Sequence, residues 1–287
     1  MTNKFYLLNE TTMKVTEYCK NCLRELAEKT CYLSHAEKDV LWHCFEMIDE
    51  LFGPDKTPPA IANKIHRFIR DATGVLDPYA EKKDREVSIA KKALFELNDL
   101  FIDSLEGVLK YSAIGNSTDT FIDGKINFLD EGSIAFYAEL DNIEKELDKK
   151  EKDILILGDN VSDFLFDIKL INFLEGIGKN VFYAVKEGPV QNDLCMDDVF
   201  KYQFDRYFSN IISTGTHKVG IEKKDLKGKI KTLWERDATI IAKGMGNYET
   251  ISEFQDGKKI IHIMKVKCPA VSAAISYPEG SYVAIVR

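Results

Sequence analysis

The chain has 287 residues, 45% hydrophobic and 30% charged, proportions of an ordinary globular protein with room for one sizeable core or one core and a smaller companion. Its 39 basic against 47 acidic side chains leave a net charge of -8, which argues against the basic face that a nucleic-acid binder needs. No apolar run approaches the roughly 18 residues of a membrane span, and the opening "MTNKFYLLNETTMK" lacks the order of a signal peptide, so a cytoplasmic protein is expected.

From about residue 12 to 112 the pattern is helical. "EYCKNCLRELAEK" reads as one helix, "SHAEKDVLWHCFEMIDELFG" as a second with Ser34 as its cap and Gly53 at its close, and "IANKIHRFIRDATG" as a third closing at Gly74. Pro54, Pro58, Pro59 and Pro78 fall between these segments. "DPYAEKKDREVSIAKKALFEL" adds a further helix with Pro78 in its first turn and Val87, Ile89, Ala90, Ala93, Leu94 and Leu97 near helical spacing.

Four of the six cysteines lie in this region. Cys19, Cys22, Cys31 and His35 have an order compatible with a Cys3His zinc site, and Cys44 and His43 lie nearby. The second ligand pair is loose, however, and Cys19 and Cys22 share a buried face of their helix. Reduced thiols acting as small hydrophobes are therefore expected in preference to structural zinc.

After "AIGNSTDTFIDG" the texture changes to short apolar runs, "DILILG", "NVFYAVK", "YFSNIIS", "ATIIAKG", "KIIHIMKVK" and "SYVAIVR", separated by amphipathic stretches. Such alternation predicts an α/β fold, a Rossmann-like α/β/α domain with a mostly parallel sheet, over residues 121–287. A helical N-terminal domain, residues 1–120, packs on it as a cap.

In consecutive β-α-β units every loop that follows a strand opens on the same sheet edge, where open α/β proteins bind ligands. Asp159, Asn160, Ser162 and Asp163 follow "ILILG"; Gly188, Asn192 and Asp193 follow "VFYAVK"; Thr214, Gly215 and Thr216 follow "NIIS"; Gly244, Gly246, Asn247, Tyr248 and Glu249 follow "TIIAK". Asp159, Asn160 and Asp193 supply hard oxygen donors, a set that selects Mg²⁺, Mn²⁺ or a similar cation. One such residue alone reads as a helix cap. Several crowded carboxylates raise one another's pKa and call for a cation.

Lys243 ends an apolar strand and precedes "GMGNYET", whose glycines permit close backbone approach and whose helix start offers N–H groups to an anion. With a metal opposite, a phosphate clamp is expected; the competing reading is a lysine snorkelling from a sheet end.

Taken in order, "DPYAEKKD", "AIGNSTD", "ILGDNVSDFLFD", "VKEGPVQND", "IISTG", "AKGMGNYET" and "KVKCP" resemble the metal-dependent damage-control phosphatases, a family first catalogued as a domain of unknown function and also called acidic-residue methyltransferase-like. "CKNC" resembles the N-terminal cysteine pair of its short microbial members. The resemblance implies a helical domain on a Rossmann-like domain and activity on phosphate monoesters of sugars or cofactor-related metabolites. It places the metal ligands on Asp159, Asn160 and Asp193, and the substrate-phosphate contacts on Asn116, Lys243 and Ser162. The joint is usually Asp-Asn-Ala-Gly-Glu in that family; here Val161, Ser162 and Asp163 stand in the last three places.

The expected function is thus a divalent-metal-dependent phosphatase using Mg²⁺ or Mn²⁺, with Co²⁺ or Ni²⁺ as further candidates. Asp159, Asn160, Asp193 and Lys243 form the catalytic set, and Asn116, Ser162, Asp163, Asn192, Gly244 and Glu249 contact a small phosphate ester. Water activated by the cation is preferred as the attacking group over a carboxylate. An S-adenosylmethionine-dependent carboxyl methyltransferase is the first alternative, although "LGDNVSD" holds one glycine and Lys186 precedes the acid Glu187 after the second strand. A non-catalytic metabolite-binding protein is the second. The partner is a small molecule, with neither nucleic acid nor membrane expected, and the oligomeric state is open.

Overall fold

The computed structural model describes residues 13–97, 104–116, 135–254 and 256–287. In chain order the helices α1 (Glu17–Leu33), α2 (Lys38–Leu51), α3 (Pro58–Thr73), α4 (Ala80–Leu97) and α5 (Leu105–Gly115) precede β1 (Phe136–Ala138) and α6 (Leu140–Leu147). Then come β2 (Asp153–Leu157), α7 (Asp163–Gly176), β3 (Asn180–Val185), α8 (Met196–Lys201), β4 (Ile211–Ser213), α9 (Gly228–Glu235), β5 (Thr239–Lys243), α10 (Gly244–Ile251), β6 (Ile260–Lys265), α11 (Pro269–Ile275) and β7 (Tyr282–Val286). Among the described residues no helix is long and apolar enough to cross a membrane.

The helix ends show local chemistry at work. Thr57 accepts a bond from Ala60 N, and Pro58 and Pro59 occupy the first turn of α3, where a missing N–H costs nothing. Gly74 closes that helix at φ 72°, its N–H donating to Arg70 O. Ser34 differs from the expectation: its N–H donates to Thr30 O, so it ends α1, while α2 starts after Glu37 without a side-chain cap.

The seven strands run in the order β1-β7-β6-β5-β2-β3-β4, parallel throughout except that β6 and β7 are antiparallel. The protein is therefore α/β with a mostly parallel sheet, and the last apolar run is the strand that turns back. Central strands are buried on both faces, which is why "ILIL" and "TIIA" read as unbroken apolar runs rather than alternating ones. Ile154, Ile156, Ile241 and Ile261 face α5 and α7, while Leu155, Leu157, Ile240 and Ala242 face Leu233 and Trp234 of α9.

The five N-terminal helices divide by packing. In α1–α3, Leu23, Ala27, Cys31, Cys44, Ile48 and Ile65 close a core of their own. Val87, Ala90 and Ala93 of α4 and Val108, Leu109 and Tyr111 of α5 instead join the core beneath the sheet. The boundary expected near residue 120 lies outside the described residues.

Chain order positions the site. From β2 the sheet grows through β3 and β4 on one side and through β5 and β6 on the other. The strand-end loops consequently diverge at the carboxyl end of β2, and that crevice is where open α/β sheets hold ligands.

Candidate active site

The loops after β2 and β3 are stitched together at this crevice. Leu194 N donates to Asp159 O (2.8 Å), Val161 N donates to Asn192 O (2.9 Å), and Asn160 and Asp193 form an isolated antiparallel bridge. Residues 33 positions apart in sequence thus face one another, as the strand-end reading expects.

Asp159 receives the amide of Asn116 (Nδ2 to Oδ2, 2.7 Å) and that of Asn160 (3.2 Å). Burial raises its pKa, opposed first by Lys267, then by the Asn116 bond, Lys186 and Lys243. Asp193 is also buried; its Oδ2 has no hydrogen-bond donor among the described residues and lies 3.6 Å from Lys186 Nζ. Burial, reinforced by the charge of Asp159 and opposed by Lys186, pushes Asp193 up to about 7.

Asn116, from which a phosphate contact is expected, stands at the end of α5 with its amide turned to carboxylates. Its two amide hydrogens go to Asp159 Oδ2 and Asp163 Oδ2 (2.8 Å), and its Oδ1 accepts from Lys265 N (3.2 Å). Asp163, the first residue of α7, thereby finds a partner with the shorter side chain. Burial carries its pKa well above the usual carboxylate value, with Lys243 opposing and Asp159 and Asp167 adding to the rise. Ser162 is fully buried at the start of α7.

Lys243 also departs from expectation. Its side chain is 0% exposed, and Nζ donates to Ser112 O (2.7 Å), Ser112 Oγ (2.6 Å) and Asp167 Oδ1 (2.6 Å). An ammonium has three donors, so all are spent inside the protein. Ser112 Oγ and Tyr183 Oη both donate to Asp167, completing the network. Lys243 reaches the crevice through its charge on Asp159 and Asp163, with no donor left for a phosphate.

Close approach at the next residue is real. Gly244 sits at φ 74°, and a Cβ there would fall 1.9 Å from Asp159 Oδ2. The backbone at the start of α10 therefore lies against the Asp159 carboxylate, and that helix start has no side-chain cap. Glu249, one turn farther on, is pushed up to about 8 by burial and by the charge of Asp159.

Asn192 extends the network outward: its Nδ2 donates to Asn160 Oδ1 (2.8 Å) and to both oxygens of Glu86 on α4 (3.2 and 3.1 Å). Several participants escaped the sequence reading. Lys83 is fully buried, donating to Asp77 (3.1 Å) and Asp198 (2.8 Å), and its charge favours ionised Asp193. Lys186, Lys267, Asp167, Ser112 and Glu86 were likewise not selected. Lys83 and Lys267 lie within "DPYAEKKD" and "KVKCP", so the signal was present, but nothing in the spacing says which lysine points inward.

The early cysteines separate. Cys31 and Cys44 meet in the α1–α3 core, where burial pushes Cys44 up to about 12. Cys19 is buried, its Sγ accepting from Thr16 N (3.3 Å) at the start of α1, whereas Cys22 is exposed, so the two do not share a buried face as expected. Burial and the charge of Glu249 raise both Cys22 and Cys268. Among the described residues no three His, Cys, Asp or Glu side chains are grouped to hold a metal ion. The strand-end set accordingly offers two carboxylates and an amide.

Comparison with known proteins adds a second line of observation. The sequence model of the damage-control phosphatase ARMT1-like domain matches residues 12–283. A damage-control phosphatase of Pyrococcus horikoshii is 28% identical over 285 residues, covering 94% of this chain and 97% of that one. Another, of Archaeoglobus fulgidus, is 25% identical over 95% of this chain and 99% of its own length. The crystal structure of a DUF89 family protein from Pyrococcus horikoshii superposes with a TM-score of 0.81 at 26% identity, covering 95% of this chain and 99% of that one.

Proposed function

The chain belongs to the damage-control phosphatase ARMT1-like domain family, and on that premise we propose that it is a divalent-metal-dependent phosphatase of small phosphate monoesters, of the sugar phosphate or damaged phosphometabolite class. The observation that carries this reading is the pair Asp159 and Asp193, brought from neighbouring strand ends, with a buried Asp193 oxygen that has no donor among the described residues.

A cation suits that donor set. Burial raises both carboxylates, the charge of Asp159 adds to the rise at Asp193, and such hard oxygens prefer Mg²⁺ or Mn²⁺, which complete their shells with waters and substrate oxygens. Asp159, Asp193 and Asn160 would hold it. As placed, Asn160 turns its Nδ2 to Asp159 and its Oδ1 to Asn192; serving a cation requires the reverse orientation of both amides. When bound, the ion supplies Lewis-acid polarisation of phosphoryl oxygens.

The remaining work falls to the protein's own groups. Asn116 holds Asp159 against Asp163. The uncapped first turn of α10, able to reach Asp159 because residue 244 is glycine, offers backbone N–H groups to phosphate oxygens. Lys267 and Lys186, with Lys243, contribute positive charge at Asp159.

Phosphate release from p-nitrophenyl phosphate, with and without Mg²⁺ or Mn²⁺, tests the reading. Turnover is expected only with the cation, and Asp193→Asn should lower kcat/KM at least ~10²-fold while the protein stays folded, because a site group is altered at constant volume. Undiminished turnover in excess chelator after dialysis would remove the metal. No release from aryl or sugar phosphates with any cation would remove the phosphatase.

A further inference from the structure

Beside the crevice, between α3 and the segment linking β4 to α9, lies a second hollow of about 690 Å³. Its walls carry Lys64, Arg67 and Arg70 on one side and Lys218, Lys224 and Lys227 on the other, an unusual gathering in a chain of net charge -8. The positions 60, 63, 64, 67, 70 and 71 make the whole of one α3 face a wall of the hollow.

The three acids of the lining are already engaged. Glu222 pairs with Lys224 (2.5 Å) and Lys218 (3.8 Å), Asp225 with Lys218 (2.8 Å), and Asp71 with Arg67 (3.7 Å). Lys64, Arg70 and Lys227 have no carboxylate partner among the described residues, so three uncompensated cations surround one space. Apart from Ala60 and Gly215 the lining is polar, which disfavours an apolar ligand, and the volume is that of a small-molecule site rather than a macromolecular face.

The hollow is mechanically joined to the crevice. His217, on its wall, packs on Gly188, where an added Cβ would meet the imidazole at 2.1 Å; from Gly188 the chain runs five residues to Asp193. Lys186, beside Asp193, donates to Gly220 O (3.0 Å), and Asn63 exchanges two bonds with Val219. The segment that forms the wall is thus tied to α3 and to the Asp193 side of the crevice at once.

We infer that this hollow binds a multiply phosphorylated small anion, separate from the phosphoryl group that reacts at Asp159 and Asp193. The choice of phosphate over other anions rests on the phosphatase reading; the existence of an anion site rests on the charges and the cavity. The ligand is either the far end of a bisphosphate substrate or a polyphosphate effector, two sources of one chemistry.

Calorimetric titration of the chelator-treated full chain with inorganic tripolyphosphate is the direct test. Lys64→Glu combined with Lys227→Glu should weaken binding at least tenfold, Arg70→Gln at least threefold, and added salt should weaken it further in the wild type. Both lysines are exposed, so an unchanged melting temperature is expected, and turnover of p-nitrophenyl phosphate should not move. A tenfold rise in KM for a hexose bisphosphate, with that for the monophosphate unchanged, assigns the hollow to substrate. A non-competitive effect of tripolyphosphate that the double variant abolishes assigns it to an effector. Absence of tripolyphosphate binding, or equal affinity in wild type and double variant, overturns the inference even if phosphatase activity is found. Hollow-dependent binding by a protein without phosphatase activity leaves the anion site standing and removes the phosphatase reading instead.

Discussion

Lys243 and Asp167 are fully buried and joined at 2.6 Å, with Ser112 and Tyr183 satisfying what the pair leaves over. Removing one partner strands the other charge away from water, which typically costs about 3–5 kcal/mol. Lys243→Ala should therefore lose stability of that order in urea denaturation as well as activity. Lys243→Ala and Asp167→Ala made together should cost less than the sum of the two singles, since neither charge is then left alone. Additive losses would show that the pair does not act as a unit. The same logic separates Asn116 from the phosphate contacts: with both amide hydrogens on carboxylates, its replacement should disturb the posture of Asp159 before it disturbs substrate binding.

The start of α10 depends on one conformation. At Gly244 both φ 74° and the 1.9 Å approach to Asp159 Oδ2 forbid a side chain, so Gly244→Ala must displace either the helix start or the carboxylate. A fall in kcat/KM of at least ~10²-fold is expected, larger than the effect of Gly246→Ala, where the added methyl crowds the Val219 side chain (Cγ1 at 2.6 Å) and not a site carboxylate. Gly176, in the last turn of α7 with nothing within 4 Å of an added Cβ, is the control: Gly176→Ala should leave kinetics unchanged and stabilise by up to about 1 kcal/mol. Equal kinetics for Gly244→Ala and wild type would mean that the helix start takes no part in the site.

Acid should protonate two shielded histidines, the buried His262 and the half-buried His66. His262, on β6, lies edge-on to Tyr248 at 5.0 Å between ring centroids, and neither ring nitrogen has a partner among the described residues. Burial, then Arg287, brings its pKa down to about 3; burial, then Arg70, brings His66 down to about 4. A folded pKa below the unfolded value near 6.5 means that the neutral ring contributes stability above pH 6.5, and that this contribution is lost as pH falls toward 3 or 4. The raised carboxylates Asp159, Asp163, Asp193 and Glu249 work in the opposite sense, since protonation first relieves the cost of burying their charge. Comparing wild type with His262→Phe cancels them. The drop in unfolding free energy from pH 7 to pH 4.5 should be smaller in the variant, and equal drops would mean that His262 does not carry the acid sensitivity.

Local patterns were enough for the α/β class, for the closing ends of α2 and α3 and for the meeting of Asp159, Asn160 and Asp193. Each follows from short-range rules: continuous apolar runs become buried parallel strands, and parallel strands place their following loops on one edge. Those rules say where a backbone goes. They do not say where a long side chain points, and here that was settled by packing: α5 brought Ser112 within reach of Lys243 and turned it inward, α4 brought Glu86 to Asn192, and Lys186 and Lys267 arrived at Asp159 from two other loops. Ser34 shows the same limit, since it could cap either neighbouring helix and geometry chose the one behind it. The cationic hollow was illegible for a related reason. Its charges sit on segments some 150 residues apart, and in an acidic chain their sum vanishes until the fold places them around one space.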